Sequence, residues 1–214
     1  MAGIYVHIPF CKQACYYCDF HFSTNQLNRE KTIQAIGHEL LLQRDYLGGE
    51  EIQTIYFGGG TPSILSDKEL DHLLEVIYSN FPHSPNHEVT LEANPDDLTI
   101  EKLKELKRAG INRLSIGIQS FDDTVLNALN RAHNSTMAAR CVHEAHDAGF
   151  DNISIDLIYA IPKLENALWT ETIDEAIQLN PQHISSYALT IEEKTVFGRW
   201  ATSGKIKPVD DDAA

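Results

Sequence analysis

The sequence predicts an α/β fold built on a parallel sheet, and three observations carry that expectation. Six short runs rich in β-branched and aromatic residues alternate with longer amphipathic segments, the pattern of repeated strand–helix–strand units. Helix-start and helix-stop residues punctuate the segments between them. Residue types that do chemistry gather at the C-terminal ends of the runs, where parallel sheets form their ligand sites. An open doubly wound sheet and a barrel-like sheet both fit this pattern, and periodicity does not choose between them.

The elements follow in order. Residues 3–10 read as the first strand. Residues 28–46 read as a helix with Ile33, Ile36, Leu40 and Leu41 on one face, stopped by Gly48 and Gly49. Residues 52–57 are the second strand. Ser66-Asp67-Lys68-Glu69 is a capping box and opens a helix through Leu70, Leu73, Leu74 and Ile77. Residues 88–93 are the third strand. Thr99 caps a helix carrying Leu103 and Leu106, which Gly110 closes. Residues 113–119 are the fourth strand, and Ser135 starts a helix that ends at Gly149. Residues 152–159 are the fifth strand, 167–179 the helix after it, and 183–190 the sixth strand.

With 214 residues the chain is long enough for one domain with a substantial core. Its net charge of −14 argues against a sequence-independent grip on nucleic acid, which needs a basic face. No stretch approaches the roughly 18 apolar residues of a membrane span. The run 4–10 is too short for a signal peptide and lacks a basic flank, so a cytoplasmic location without disulfides is expected. Residues 1–204 read as the core domain, and 205–214 as a tail or a truncation edge.

The chemistry starts at Cys11, Cys15 and Cys18, three cysteines in eight residues. That spacing can hold three corners of a [4Fe–4S] cluster and leave one iron open. A Cys3His zinc site completed by His7 or His21 is the competing reading, and would make the chain a zinc-stabilised binding module. Cys141, in a helical pattern with Ala138, Val142 and Ala145, reads as a small core residue. Gly58, Gly59 and Gly60 end the second strand, where a ligand can approach the backbone. No phosphate-cradle pattern continues them. Glu92, Gln119, Arg131 and Asp156 are candidates for a polar, zwitterionic ligand: carboxylates accept from an amine or ribose hydroxyls, and a guanidinium pairs with a carboxylate. Taken alone, Arg131 also fits a surface helix charge, and Asn94-Pro95-Asp96-Asp97 fits a turn. His72, His83, His87, His143 and His146 read as surface residues, with His133 near the strand-end face.

Tyr5-Val6-His7-Ile8-Pro9-Phe10-Cys11, the Cys-x-x-x-Cys-x-x-Cys spacing, Gly58-Gly59-Gly60-Thr61-Pro62 and Ile155-Asp156-Leu157-Ile158-Tyr159 together resemble the radical SAM superfamily. Within it they resemble the branch of oxygen-independent coproporphyrinogen III oxidases and related haem chaperones. The resemblance covers essentially the whole chain and implies a partial (β/α)6 barrel of TIM type. It implies a [4Fe–4S] cluster on Cys11, Cys15 and Cys18, with S-adenosylmethionine chelating the fourth iron. In that family an electron from the cluster cleaves the sulfonium to give a 5′-deoxyadenosyl radical. Tyr5, Tyr17, Gly59, Gly60, Thr61, Glu92, Gln119, Arg131, Asp156 and Ala188 match the family's S-adenosylmethionine contacts. The oxidases carry a fourth cysteine two residues after the third, where this chain has Phe20. Cys18-Asp19-Phe20 and Ser186-Tyr187-Ala188-Leu189-Thr190 resemble the haem chaperones instead. The implied partners are then haem or a porphyrin, a haem-acceptor protein and an electron donor. Two departures stand out. Relatives commonly have Gly-Leu-Pro after Asp-Leu-Ile-Tyr, whereas this chain has Ala160-Ile161-Pro162, with little effect expected from the extra methyl. Relatives also carry a further C-terminal domain implicated in haem handling.

Overall fold

A computed structural model describes residues 2–162 and 166–209. Six parallel strands form one sheet in sequential order: β1 (Ala2–Ile8), β2 (Ile52–Gly59), β3 (His83–Ala93), β4 (Arg113–Gln119), β5 (Ile153–Tyr159) and β6 (His183–Ala188). β1 and β6 are its two edges, so the sheet is not closed and the architecture is the partial barrel. The connecting helices are α1 (Arg29–Leu42), α2 (Asp67–Asn80), α3 (Ile100–Ala109), α4 (Asp123–Ala128), α5 (Ser135–Asp147), α6 (Asn166–Gln178) and α7 (Val196–Thr202).

Strand register sorts the side chains into two faces. Val6, Phe57, Leu91, Leu114 and Ile153 lie side by side across five strands, and all are buried beneath the helices. Alternate positions carry the opposite character. Tyr5, Tyr56, Thr90 and Arg113 form one neighbouring row, and Glu92, Ser115, Ser154 and His183 another. Parallel strands buried on both faces read as near-continuous apolar runs. Here one face is polar, which keeps the concave side open to a polar ligand rather than closed as core.

The local signals explain most helix ends. Ser66 and Glu69 make the reciprocal capping box expected of them, and Glu69 also pairs with Arg29 of α1. The Thr99 hydroxyl accepts from the Lys102 N–H, and Gly110 closes α3 at φ 100°. Several boundaries differ from expectation. α5 does start at Ser135 as expected, capped by Asn134, whose side chain accepts from the Met137 N–H, but it ends at Asp147 rather than Gly149. α1 ends at Leu42 rather than running to residue 46, and Leu41 is exposed instead of sharing the buried face. β3 starts five residues early, because His83 pairs with Ile52 and a bulge separates that pair from Thr54–Glu88. α4 and α7 are too short to show a helical period. His72 is not a free surface residue, since its ring occupies the space beside Gly37 where a Cβ would stand, holding α1 close to α2. Cys141 is core as expected: it is buried, which pushes its thiol up to about 12. Residues 210–214 of the expected tail lie outside the described residues. Before them, Lys205 sits over the Trp200 ring, 3.6 Å from its centroid.

Candidate cofactor site at the strand ends

A cavity of about 620 Å³ opens at the C-terminal ends of the strands, within the usual range for ligand pockets. Its walls bring together residues from every strand end. Cys11, Cys15, Tyr17 and Cys18 come from the loop after β1, and Gly59, Gly60 and Thr61 from the end of β2. Glu92, Gln119, Asp156 and Ala188 come from β3 to β6, and Arg131 from the loop after α4. Tyr5 lies beside the wall rather than in it: its hydroxyl meets His7 Nδ1 at 3.0 Å and its ring stacks on Tyr56.

The cysteine loop is tied down from several sides. The Asn130 side chain donates to the Ala14 carbonyl at 2.7 Å, and the Gln13 side chain donates back to the Asn130 carbonyl at 2.9 Å. Asn130 holds φ 58°, a left-handed conformation that asparagine tolerates. The Tyr16 N–H donates to Leu129 O, and the Phe197 N–H donates to Tyr16 O. Lys12 pairs with Asp96 and Asp97, fixing the loop to the turn after β3. Thr61 donates to Cys11 Sγ at 3.3 Å. Burial raises the Cys11 and Cys18 thiols, opposed at Cys11 by that Thr61 hydrogen bond and by the Arg131 charge.

Arg131 is not a surface helix charge. One terminal nitrogen donates to Asn94 Oδ1 at 2.6 Å and to Gly117 O at 2.7 Å. The other donates to Cys15 Sγ and the Tyr17 hydroxyl, both at 3.3 Å. Its Nε is buried and has no partner among the described residues. Gly117 leaves room for this guanidinium, since a Cβ there would stand 3.3 Å from it.

Glu92 is held at both oxygens, by the Tyr56 hydroxyl at 2.8 Å and the Gly59 N–H at 3.0 Å. Asp156 accepts from Ser115 at 3.3 Å and from Ser185; burial first, then the Glu92 charge, raise its carboxyl above the usual range against these bonds. Two carboxylates kept this close favour a cationic or hydroxyl-rich ligand between them. The glycines act differently from the expectation of a bare approach path. The space a Cβ would take at Gly59 is filled by the His7 ring, and at Gly60 by the backbone of Ile8 and Phe10. They let β2 and the end of β1 pack tightly, and so set where the wall stands. Gln119 adopts φ 68° at the end of β4, which turns the chain out of the strand.

Asn94, expected only as a turn residue, is a site residue. It accepts from Arg131, donates to Thr61 at 3.3 Å and lines the cavity. Ser115, Phe20 and Phe22 also line it, and Phe20 is 74% exposed at its rim. Placement two residues beyond Glu92, on the same side of the chain, was the available signal for Asn94.

The donor set suits a cluster better than zinc. Both His7 nitrogens are engaged, Nδ1 with Tyr5 and Nε2 with His21 O at 3.0 Å. Among the described residues no three His, Cys, Asp or Glu side chains converge on a single ion. A cluster asks its three thiolates to reach three different irons, whereas zinc gathers four donors around one. Arg131, Glu92 and Asp156 put one cation and two carboxylates on the cavity wall beside it.

An open parallel sheet with a three-cysteine loop above its strand ends defines an α/β partial barrel with a candidate cluster site beside a ligand-sized cavity. The chain matches the Radical SAM superfamily over residues 5–176, and it belongs to that superfamily. The family implies a [4Fe–4S] cluster and S-adenosylmethionine. The chain is 38% identical over 208 residues to the heme chaperone HemW of Bacillus subtilis (strain 168), covering 96% of this chain and 55% of that protein. It is 38% identical over 200 residues to HemW of Escherichia coli (strain K12), covering 92% and 52%. Among solved structures, the coproporphyrinogen III oxidase HemN of Escherichia coli superposes with a TM-score of 0.85 at 27% identity, covering 99% of this chain and 48% of that one. The chain thus spans about half the length of the curated relatives it matches. No helix among the described residues is long and apolar enough to cross a membrane.

Proposed function

We propose that this chain is the cofactor-binding core of a haem chaperone. In this reading Cys11, Cys15 and Cys18 hold three irons of a [4Fe–4S] cluster, and S-adenosylmethionine fills the cavity beside them. When bound, the cluster supplies an electron to the sulfonium of that cofactor. The protein's own part is to bind and orient. The Arg131 guanidinium on the cavity wall is the cation for the cofactor's carboxylate, and Glu92 and Asp156 are acceptors for its amine or ribose hydroxyls. Tyr17, Gly59, Gly60, Thr61, Gln119 and Ala188 shape the wall, with Tyr5 behind Gly58. Residues 1–204 form this core. Haem delivery to an acceptor protein, and an electron donor for the cluster, complete the proposal, with a cytoplasmic location.

The observation that carries the chaperone reading over the oxidase reading is Phe20. It stands exposed on the cavity rim two residues after Cys18, so an apolar plate rather than a fourth thiol faces an incoming ligand. A porphyrin face packs well on such a ring. The test incubates the cluster-reconstituted protein with coproporphyrinogen III, a reductant and S-adenosylmethionine, and titrates haem in parallel. Stoichiometric haem binding without protoporphyrinogen formation is expected. Substantial protoporphyrinogen would replace the chaperone by an oxygen-independent coproporphyrinogen III oxidase.

A further inference from the structure

At the opposite end of β3 from the cavity, three aromatic side chains meet that the cofactor site does not use. His83 and His87 lie on β3 and Tyr78 in the last turn of α2. Their ring centroids are 4.9 Å (Tyr78–His83), 5.4 Å (Tyr78–His87) and 5.2 Å (His83–His87) apart. The bulge that separates the Ile52–His83 pair from Thr54–Glu88 is what folds His87 back towards His83. Five residues separate His87 from Glu92, about 17 Å of strand, so this cluster is remote from the cysteine loop.

The hydrogen bonds fix both tautomers. His83 Nδ1 lies 3.2 Å from the Phe81 carbonyl and His87 Nδ1 lies 2.7 Å from the Ser84 carbonyl. A carbonyl only accepts, so both Nδ1 atoms carry a proton, and in the neutral ring it is Nε2 that presents the lone pair. This is the arrangement by which backbone carbonyls orient metal-ligating histidines. The Tyr78 hydroxyl lies 3.0 Å from His87 Nε2. Two donors about 2.1 Å from one ion stand about 3.0 Å apart at a right angle and about 3.4 Å apart at the tetrahedral angle. Two imidazoles on one tetrahedral ion have centroids about 5.3 Å apart, against the 5.2 Å found for His83 and His87. The Asn112 side chain accepts from the Val89 N–H at 2.7 Å and donates to His87 O at 3.0 Å, which holds this stretch of strand in place.

We infer that His83 Nε2, His87 Nε2 and the Tyr78 hydroxyl form a second metal site, for a borderline divalent ion such as Zn2+ or Cu2+, with water in the remaining positions. Imidazole donors select these ions over Mg2+ and Ca2+. The ion replaces the hydrogen bond between Tyr78 and His87, and ties the end of α2 to the bulge of β3.

The test uses cluster-loaded protein, so that the cysteines are already occupied, and titrates it with Cu2+ or Zn2+ against a chromophoric chelator. One equivalent should bind, and the Cu2+ EPR spectrum should show coupling to two imidazole nitrogens. His83→Ala removes an exposed side chain, so the fold survives; binding should weaken at least tenfold and the EPR should report one nitrogen. The ion should also raise the Tm of the wild-type protein and not that of His83→Ala. Absence of stoichiometric binding overturns the inference. So does equal affinity in wild type and His83→Ala, or binding lost only when the three cysteines are replaced.

Discussion

Replacing Ala160 by glycine should stabilise the protein. Ala160 follows β5 with φ 56°, in the left-handed region. A Cβ there costs about 1–2 kcal/mol against the following carbonyl oxygen. Glycine removes that cost but gives the unfolded chain about 0.5–1 kcal/mol more conformational freedom to lose. The balance favours Ala160→Gly by about 0.5–1 kcal/mol. For a chain of 214 residues, at about 2–4 °C per kcal/mol, Tm should rise by roughly 1–4 °C. Little effect was expected of the extra methyl, but the dihedral makes it a matter of backbone strain. Urea unfolding measures it: the midpoint should rise at constant m-value. Ala145→Gly is the control, because Ala145 is fully buried in α5, and its loss should cost about 1 kcal/mol or more. A lower midpoint for Ala160→Gly, at unchanged m, would refute the reasoning.

Three further outcomes are expected. Burial first, then the Arg131 charge, lower His133 to about 4. The unfolded chain therefore takes up a proton near pH 6.5 that the folded chain refuses. This contribution is complete above about pH 6.5 and lost as pH falls towards 4, about 3 kcal/mol in all, so His133→Gln should flatten the acid limb of the denaturation midpoint against pH. Asp156→Asn relieves a buried carboxyl beside Glu92. It should raise the Tm of cofactor-free protein while weakening S-adenosylmethionine at least tenfold in calorimetry, and unchanged affinity would remove Asp156 from the site. Asn130→Gly keeps the left-handed backbone but loses the bond to Ala14. The protein should fold normally and lose its cluster absorbance several-fold faster under chelator challenge.

Five of the six strands were legible because each carries an apolar row, β6 being the polar exception, and the capping box and Gly110 are local signals that need no partner. What the sequence concealed depends on distant chain. The start of β3 is His-Ser-Pro-Asn-His, with no strand pattern, and it is held by a single pairing to Ile52 across the bulge. Among the site residues, cysteine spacing and isolated carboxylates in apolar runs stood out by chemistry alone. Asn94, Lys12 and Asp97 did not, because each looks like an ordinary turn or surface residue until Arg131, Ser63 or the cysteine loop arrives beside it. The Arg131 side chain was ambiguous for the same reason, since all of its partners come from other elements.

The anchoring of the cysteine loop has a consequence for biosynthesis. Cys11 to Cys18 leave the ribosome more than a hundred residues before three of their clamps, Leu129, Asn130 and Phe197. At about 5–20 residues per second, Phe197 emerges roughly ten to forty seconds after the last cysteine. Throughout that interval only the ties to Ser23, Thr61, Asp96 and Asp97 are within reach of the loop. Iron and sulfide therefore meet a fully clamped loop only once translation has passed α7.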